Sequence, residues 1–284
     1  MRKYVAALVA VTALATAACA KENSLALVTG ASSKTLAAKT ARISVVVSAG
    51  GLQMPAGNIS ADGAFDFTAR RGLMSIDASS LGLPAGVGKI ETRVIGTVIY
   101  MKIPTLADQL QGKTWLKLDF QAAGKKAGVD ISSLQQLQSN DPTAALNFLR
   151  GATSIETVGT ARVRGATTTH YRARVDLVKA AGKVTADQKT ALTNAAAILG
   201  DRAIPMDVWV DKAGRMRRLT YTVDFSKVRL PKSSGIPQRS GTLTMTMELY
   251  DFGISVDVAA PPAPDVADYG ALTGEGSGIG SITK

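Results

Sequence analysis

Apolar and polar residues alternate with a period of two over long stretches of this chain. The clearest runs are Arg42–Ser48, Ala64–Ala69, Thr114–Phe120, Thr169–Leu177, Met206–Val210, Leu219–Phe225 and Leu243–Leu249. Such alternation is typical of strands that have one buried and one solvated face. Parallel α/β folds show continuous apolar strands between regular helices instead, so that class is excluded. The pattern predicts an antiparallel sheet.

Each predicted strand has one apolar side, and together these sides form a single inward face. The inward residues are Ile43, Val45 and Val47; Phe65 and Phe67; Leu116, Leu118 and Phe120; Tyr171, Ala173, Val175 and Leu177; Met206, Val208 and Val210; Leu219, Tyr221, Val223 and Phe225; and Leu243, Met245, Met247 and Leu249. A face of this kind either packs a solid core or lines a cavity, and periodicity alone favours the solid core.

Turn residues support the prediction of hairpins. The sequence Asp211-Lys212-Ala213-Gly214 joins two alternating runs, and Gly214 is free to adopt a positive φ. The hairpin within Ser154–Leu177 has two plausible registers, because a shift of one residue changes which side chains share a face.

The first register has a two-residue turn at Gly165-Ala166 and places Arg162 and Arg164 beside Tyr171 and Val175. The second has a three-residue turn, Arg164-Gly165-Ala166. It groups apolar residues on one face and places Glu156 opposite Arg174 on the other. We predict the second register. Its apolar group is Ile155, Ala161, Val163, Tyr171, Ala173 and Val175.

Helical spacing interrupts the alternation in two places. Asp130–Arg150 contains an Asp141-Pro142 helix start. Ala186–Leu199 follows a capping box and ends at a glycine. A short helix around Lys34–Ala41 leads into the first strand, whereas Lys227–Ser240 is predicted to be a basic loop.

The first eighteen residues resemble an export signal. Arg2 and Lys3 precede an apolar run, and small residues follow directly before Cys19, the only cysteine of the chain. The apolar run is too short to span a membrane. Cys19 at the cleavage site resembles a bacterial lipobox, although Thr16 stands where leucine is usual. The alternative is an ordinary secretory leader cut near Ala18, with Cys19 unmodified.

These observations divide the chain into four parts: a signal peptide over 1–18, a lipidated tether over 19–33, one folded domain over 34–262 and a disordered tail over 263–284. The tail is predicted from its Pro-rich and then Gly/Ser-rich composition. A single cysteine allows no intramolecular disulfide, so a sizeable hydrophobic core must stabilise the domain.

The net charge is +11, of which Arg2 and Lys3 in the leader contribute two. Such a surface attracts anionic partners such as phospholipid headgroups, phosphorylated glycolipids or wall polymers. Nucleic acid is not expected as a partner, because the chain is exported and has no platform of interleaved aromatics and arginines.

The residues that carry catalysis or bind metals are sparse. His170 is the only histidine and lies on the predicted solvated side of a strand. A hydrolytic triad needs a buried histidine beside a nucleophile and a carboxylate, and a zinc site needs several Cys or His ligands. We therefore predict that the protein is not an enzyme and has neither a metal site nor a cofactor.

Several segments give the chain a specific resemblance. They are Gly96-Thr97-Val98-Ile99-Tyr100-Met101-Lys102, Thr114-Trp115-Leu116-Lys117-Leu118, Val158-Gly159-Thr160-Ala161-Arg162-Val163-Arg164-Gly165, Thr169-His170-Tyr171, Val175-Asp176-Leu177, Pro205-Met206-Asp207-Val208-Trp209-Val210-Asp211 and Tyr250-Asp251-Phe252-Gly253. On these residues the chain resembles the actinobacterial lipoprotein family that includes LppX and LprG, whose fold is similar to LolA-like lipoprotein carriers. The resemblance extends over about Ile43 to Pro262.

The resemblance implies an α+β fold, in which a strongly curved antiparallel sheet forms a half-barrel and α-helices cover its concave face. It also implies a cavity for acyl chains between sheet and helices. The residues expected to line it are Val45, Val47, Phe65, Phe67, Leu116, Leu118, Tyr171, Val208, Tyr221, Met245 and Met247.

The function implied is a lipoprotein, anchored through Cys19 on the outer face of the cell membrane, that binds lipids or acylated glycolipids and assists their transfer toward the cell envelope. Its partners would be the lipid, the membrane and a membrane transporter. Two interpretations of the basic residues Lys227, Arg229, Lys232 and Arg239 stay open: contact with an anionic headgroup, or a solvated loop that only aids solubility. The rival function is a lipid-anchored sensory or scaffolding module with a solid core that contacts a protein or a wall polymer.

Overall fold

The computed structural model describes residues 24–51, 58–102, 112–119, 149–182, 203–228 and 240–268, with the single positions 105, 107, 110, 146, 189, 192, 193, 196, 197 and 199. The described strands form one open twelve-stranded sheet in the order β12-β6-β5-β4-β3-β2-β1-β11-β10-β9-β8-β7. The strands are β1 Thr40–Gly50, β2 Asn58–Asp66, β3 Arg71–Asp77, β4 Lys89–Ile95, β5 Val98–Lys102, β6 Trp115–Asp119, β7 Ala152–Val163, β8 Ala166–Asp176, β9 Ala203–Asp211, β10 Met216–Asp224, β11 Thr242–Tyr250 and β12 Val266–Asp268.

The described helices are short compared with the sheet. Helix α1 comprises residues 24–36 and α2 is Leu177–Ala181. Short 3₁₀ turns occur at Ala78–Leu81, Ala85–Val87, Leu149–Gly151 and Ala263–Asp265. The six residues described between 189 and 199 are all helical, which agrees with the helix predicted over Ala186–Leu199.

The prediction of an antiparallel sheet is confirmed: every neighbouring pair is antiparallel except β12 and β6, which are parallel. Residues paired across antiparallel strands share a face of the sheet. The pairing therefore places those predicted inward residues that lie on described strands on one apolar face, as the predicted alternation requires. One cross-strand row of this face is Ile155, Ala173, Met206, Tyr221, Met245, Val47 and Ile59.

The register predicted for the hairpin of β7 and β8 is wrong. The turn has two residues, Arg164 and Gly165, both with positive φ, and Val163 pairs with Ala166. A bulge between Thr157 and Gly159 then shifts the register, so Glu156 faces Arg172 and not Arg174. The two-residue turn and the bulge are both compatible with an alternating sequence. The alternation alone therefore did not distinguish the observed register from the predicted one.

The bulge also changes which residues of β7 share a face. Ile155 pairs with Ala173 on the apolar face, as predicted, but Ala161 pairs with Thr168, which shares the face of His170. A bulge inserts one extra residue and reverses the facing of everything beyond it. Ala161 and Val163 therefore lie on the opposite face from Tyr171, contrary to the predicted grouping.

The predicted tether and tail both contain folded residues. Residues 24–33 belong to α1, where Val28, Ala31 and Ser32 are completely buried, so the tether predicted over 19–33 is wrong for this part. At the other end, Val266–Asp268 pairs with β6, so the disordered tail predicted over 263–284 is wrong for residues 263–268. Polar composition hid the small apolar stripe of α1 and the short strand β12.

The main hydrophobic core lies between the apolar face and the helices. Its buried residues include Val28 and Ala31 from α1, Leu177 and Ala180 from α2, and Leu192 from the helical segment 189–199. Burial of such side chains is the principal stabilising contribution to the fold. Helices therefore pack on one side of the sheet, while the strong curvature predicted for it remains a prediction.

Some predicted features lie outside the described residues. They are Cys19, the leader over 1–18, Phe120, most of the helix predicted over Asp130–Arg150, most of the basic loop, and residues 269–284.

Candidate functional site

The apolar face consists of two regions that differ in burial. In the packed region, Phe65, Tyr171, Val208, Leu219 and Met247 are at most 5% exposed. In the half-open region the side chains are only half-buried. The half-open residues are Val45, Val47, Tyr221 and Met245 on β1, β10 and β11, and Ile99, Met101, Leu116 and Leu118 on β5 and β6.

The eleven residues predicted to contact ligand are divided between these regions. Phe65, Phe67, Tyr171, Val208 and Met247 are buried members of the main core. The other six belong to the half-open region: Val45, Val47, Leu116, Leu118, Tyr221 and Met245. Sequence alternation places all eleven on one face but does not show which of them other parts of the chain cover.

Helix α1 covers the part of the packed region that lies on β7 to β10. Its first described residue, Ser24, has its hydroxyl 3.4 Å from that of Thr157 on β7. Near its other end the Thr35 hydroxyl accepts a 2.9 Å hydrogen bond from the backbone N–H of Met216 at the start of β10. The helix therefore crosses β7 to β10, and Val28 and Ala31 lie in the core beneath it.

The turn between β9 and β10 fixes this end of α1. The Asp211 carboxylate accepts hydrogen bonds from the backbone N–H groups of Ala213 and Arg215 and from the side chains of Arg215 and Arg217. Burial alone would raise the pKa of Asp211, but these hydrogen bonds outweigh it and lower that pKa below its usual value. The ionised carboxylate stabilises the turn on which α1 packs.

A second helical layer covers the end of β8. Gly151 packs so closely against α2 that an added Cβ would lie 2.7 Å from the Cβ of Ala180. Leu149, Leu177 and Ala180 are fully buried there. The packed region thus has helical residues over β7, β8 and β9.

Tyr221 and Met245 form the centre of the half-open region. They are cross-strand partners, and Met245 also pairs with Val47. The Tyr221 hydroxyl donates a hydrogen bond to the Met245 Sδ at 3.0 Å. Although the side chain as a whole is only half-buried, its hydroxyl end is enclosed, and this burial raises the pKa of Tyr221 to about 12. The phenol therefore stays neutral and can act as a donor.

Ile99 and Met101 are functional candidates that sequence reasoning missed. They lie on β5 beside Leu118 and Leu116 of β6, respectively, and are half-buried like them. The sequence does indicate their facing, because Ile99 and Met101 alternate with Tyr100 and Lys102. However, the strand is only five residues long. Such short runs give weak evidence for the facing of a strand.

The opposite face of the sheet is polar and extensively paired. Glu248 of β11 accepts hydrogen bonds from Arg164 at 2.6 Å and from Arg218 at 2.8 Å. Burial alone would raise the pKa of Glu248, but the two guanidinium groups outweigh it and hold it below its usual value. These contacts join the β7–β8 turn to β10 and β11.

His170 lies on this polar face, as predicted, but is not an isolated surface residue. Its ring stacks on Trp209 with centroids 4.1 Å apart, and its Nε2 is 2.7 Å from the Asp207 carboxylate. Arg218 contacts the same tryptophan ring. The histidine is therefore held in a packed surface cluster on the face opposite to the half-open region.

Within the described part of the chain, no cluster of three or more His, Cys, Asp or Glu side chains has a metal-binding arrangement. The helices described there include none with the length and apolar character needed to span a membrane.

Two curated proteins are similar to this chain in sequence, whereas no family model matches it. One is an uncharacterised protein of Streptomyces griseus from the rplA-rplJ intergenic region, 23% identical over 227 residues, which are 78% of this chain and 69% of that protein. The other is a "Putative lipoprotein" of Streptomyces coelicolor, 25% identical over 191 residues, or 66% of this chain. The chain spans 54% of that second relative's length.

Solved structures similar to this chain include two mycobacterial proteins. LppX of Mycobacterium tuberculosis is 15% identical with a TM-score of 0.44, over 82% of this chain and 98% of that one. LprF of Mycobacterium bovis is 12% identical with a TM-score of 0.45, over 84% and 97%. A LolA superfamily protein of Nitrosomonas europaea is 9% identical with a TM-score of 0.30, over 80% and 94%. The resemblance found in the sequence is confirmed, but scores this low assign no ligand.

Proposed function

We propose that this protein binds lipids or acylated glycolipids on the half-open region of its apolar face and assists their transfer toward the cell envelope. The observation that supports this most strongly is the unequal burial of one continuous face. Met247 and Met245 lie two residues apart on the same face of β11, yet Met247 is 3% exposed and Met245 is only half-buried. The half-open part offers apolar surface that an acyl chain would bury.

The energetics favour such a ligand. Removing acyl chains from water is worth about 0.8 kcal/mol per methylene, so a lipid with two long chains does not cross an aqueous layer unaided. Methionine side chains adapt to ligands of different shape. Met245 and Met101 supply that adaptability at two places in the half-open region. The protein then needs no chemical step, and transfer is passive partition and release.

Lipidation of Cys19 would hold this carrier at the outer face of the cell membrane, close to the source of its ligand. Two acyl chains anchor a protein stably where one does not. The Streptomyces coelicolor relative, described as a "Putative lipoprotein", supports this part of the proposal. Cys19→Ser should move the protein from the membrane fraction to the soluble fraction without changing its melting temperature. Retention of the variant on membranes would contradict lipid anchoring.

The partners proposed are the lipid, the membrane and a membrane transporter that supplies or accepts the lipid. The basic residues predicted to contact headgroups, Lys227, Arg229, Lys232 and Arg239, belong to this proposal as well. Positive charge near the membrane increases affinity for anionic lipids by about 1 kcal/mol per residue.

Lipid binding is tested by filling the half-open region. The full chain with Cys19→Ser is purified from a lipid-rich host and examined by native mass spectrometry. We expect bound phospholipid or glycolipid, and we expect Val47→Trp to lose it, because the indole occupies the space of the acyl chain. Val46→Trp is the matched control, since Val46 pairs with Thr246 on the polar face.

Bare protein in every sample, with no uptake of fluorescent lipid, would contradict carriage. That result would favour the rival function, a lipid-anchored sensory or scaffolding module that contacts a protein or a wall polymer. Equal loss of lipid in Val46→Trp and Val47→Trp would place the ligand elsewhere on the protein.

A further inference from the structure

Thr92 is a polar residue at an apolar position of the sheet. On β4 the buried residues are Ile90, Thr92 and Val94, and they alternate with Glu91 and Arg93 on the other face. Thr92 pairs with Met74 of β3 and Met101 of β5. It is 2% exposed, and its hydroxyl has no hydrogen-bond partner in the part of the chain that the structure describes.

Other threonines of the sheet are placed differently. Thr220 and Thr246 form a hydroxyl pair at 3.1 Å on the polar face, and Thr222 and Thr244 form another at 2.9 Å. Buried hydroxyl groups in proteins nearly always have a partner, and an unpaired one costs about 1 to 3 kcal/mol. Thr92 is therefore an exception that requires a physical reason.

Thr92 lies between two buried apolar clusters and next to the half-open region, and this position suggests the reason. Ile90 belongs to a small separate core with Ala78 and Val87, which Met101 also contacts, whereas Val94 belongs to the main core. Thr92 lies on β4 between these two clusters. Met101 and its cross-strand partner Leu116, both in the half-open region, continue the same row toward the sheet edge.

An acyl chain entering this apolar surface carries a carbonyl oxygen at its ester or amide end. That oxygen needs a hydrogen-bond donor once it leaves water. We propose that the Thr92 hydroxyl donates a hydrogen bond to the acyl carbonyl of the bound lipid, and so fixes how far the chain enters. This inference rests on the proposed function, because it assigns a polar contact next to Met101, at the border of the half-open region.

Ser32 provides an internal comparison. It is also completely buried, and its hydroxyl also has no partner among the described residues. Ser32 belongs to α1, however, where a rotation of χ1 brings a serine hydroxyl to the carbonyl four residues earlier. Thr92 lies on a strand, where no such rotation is available, and its hydroxyl has no acceptor among the described residues.

The test compares two phosphatidylglycerols with the same headgroup and chain length, one with ester-linked and one with ether-linked chains. The ether lipid lacks the carbonyl oxygen. Binding to the full chain with Cys19→Ser is measured by calorimetric titration. We expect the ester lipid to bind roughly five- to tenfold more tightly than the ether lipid, which is the effect of one net hydrogen bond.

Thr92→Val, which is nearly isosteric, should remove this preference by weakening the ester lipid to the affinity of the ether lipid. Thr92→Ser keeps the hydroxyl and should retain the preference, as should Ser32→Ala. The melting temperature of Thr92→Val should stay the same or rise by about 2 to 4 °C, because an unpaired buried hydroxyl is lost.

Equal binding of the ester and ether lipids by the unsubstituted chain would overturn the inference while leaving lipid binding intact. Retention of the preference in Thr92→Val would overturn it too, since the carbonyl would then have another donor. If neither lipid binds to any form, the proposed function fails, and the assignment of Thr92 fails with it.

Discussion

The two regions of the apolar face share strands and residue types but differ in what covers them. In the packed region, helix α1 contacts Thr157 of β7 at one end and Met216 of β10 at the other. The core residues Val28 and Ala31 beneath it are completely buried. In the half-open region, Val47, Tyr221 and Met245 belong to the same strands or their neighbours, yet each is only half-buried. Helices α1 and α2 contribute buried residues to the core of the packed region, and the sheet itself continues through both regions.

This comparison separates stability from binding. Side chains in the packed region make most of the contacts that hold the fold, because close packing concentrates dispersion and hydrophobic energy. Side chains in the half-open region contribute less to folding and leave surface for a ligand. Substitutions in the two regions should therefore have opposite profiles, with stability lost in one and lipid binding lost in the other.

The largest effect is expected for Phe65→Ala. Phe65 is 1% exposed and its ring lies 5.8 Å from that of Phe67, so truncation leaves a cavity in the main core. We expect a loss of about 3 to 5 kcal/mol in the free energy of unfolding, measured by urea denaturation. Leu118→Ala in the same cross-strand row should cost less than half as much. Equal losses would show that the two regions are packed alike.

A smaller but better matched difference is expected for two methionines of β11. Met247→Ala should lower the free energy of unfolding by about 2 to 4 kcal/mol, because Met247 is 3% exposed. Met245→Ala should lower it by about 1 kcal/mol, since the half-buried side chain already contacts solvent. The pair controls for residue type, strand and face. A larger loss for Met245→Ala would reverse the comparison.

Glu248→Gln tests the polar side of the same strand. The substitution removes a carboxylate that Arg164 and Arg218 contact, and should cost about 1 kcal/mol at neutral pH after screening by solvent. Because folding lowers the pKa of Glu248, its stabilising contribution is present above the usual glutamate pKa and is lost as the pH falls through the folded value. The difference between variant and parent, followed by thermal denaturation, should therefore shrink once the pH falls below the usual glutamate pKa and disappear once it is below the lowered folded pKa. Lipid binding should not change.

The smallest effect is expected for Gly30→Ala in α1. An added Cβ at this position would meet no atom within 4 Å. Alanine favours the helix over glycine by about 0.5 to 1 kcal/mol, so the variant should be slightly more stable and should bind lipid as before. A loss of lipid binding would show that movement of α1 is part of ligand entry.

The sequence predicts the sheet well because period-two alternation directly reflects the two faces of a strand. It predicts the hairpin at Asp211–Gly214, with Gly214 at φ 78°. It fails for β7, where a bulge at Val158 reverses the facing of Ala161 and Val163. One inserted residue leaves the composition unchanged, so the pattern alone could not reveal it.

The candidate site was predicted only as a face. Alternation placed Met245 and Met247 together, but the difference in their burial depends on where α1 and the other helical residues pack, and those contacts are distant in sequence. The composition of residues 24–33 favours a tether because small and polar residues surround the short apolar run Leu25–Val28, which gives too few periodic positions to indicate a buried helix. Thr92 was missed because a lone threonine between Ile90 and Val94 does not interrupt a strand pattern.

The central claim is that the half-open region, and not the packed region, receives acyl chains. The most direct measurement is photocrosslinking of the full chain to a phospholipid whose acyl chain carries a diazirine, followed by peptide mass spectrometry. The account predicts adducts on Val45, Val47, Tyr221 and Met245, and none on Phe65, Tyr171 or Val208. Adducts confined to the polar face around Thr244 and Thr246, or no adducts above those of a denatured control, would contradict it.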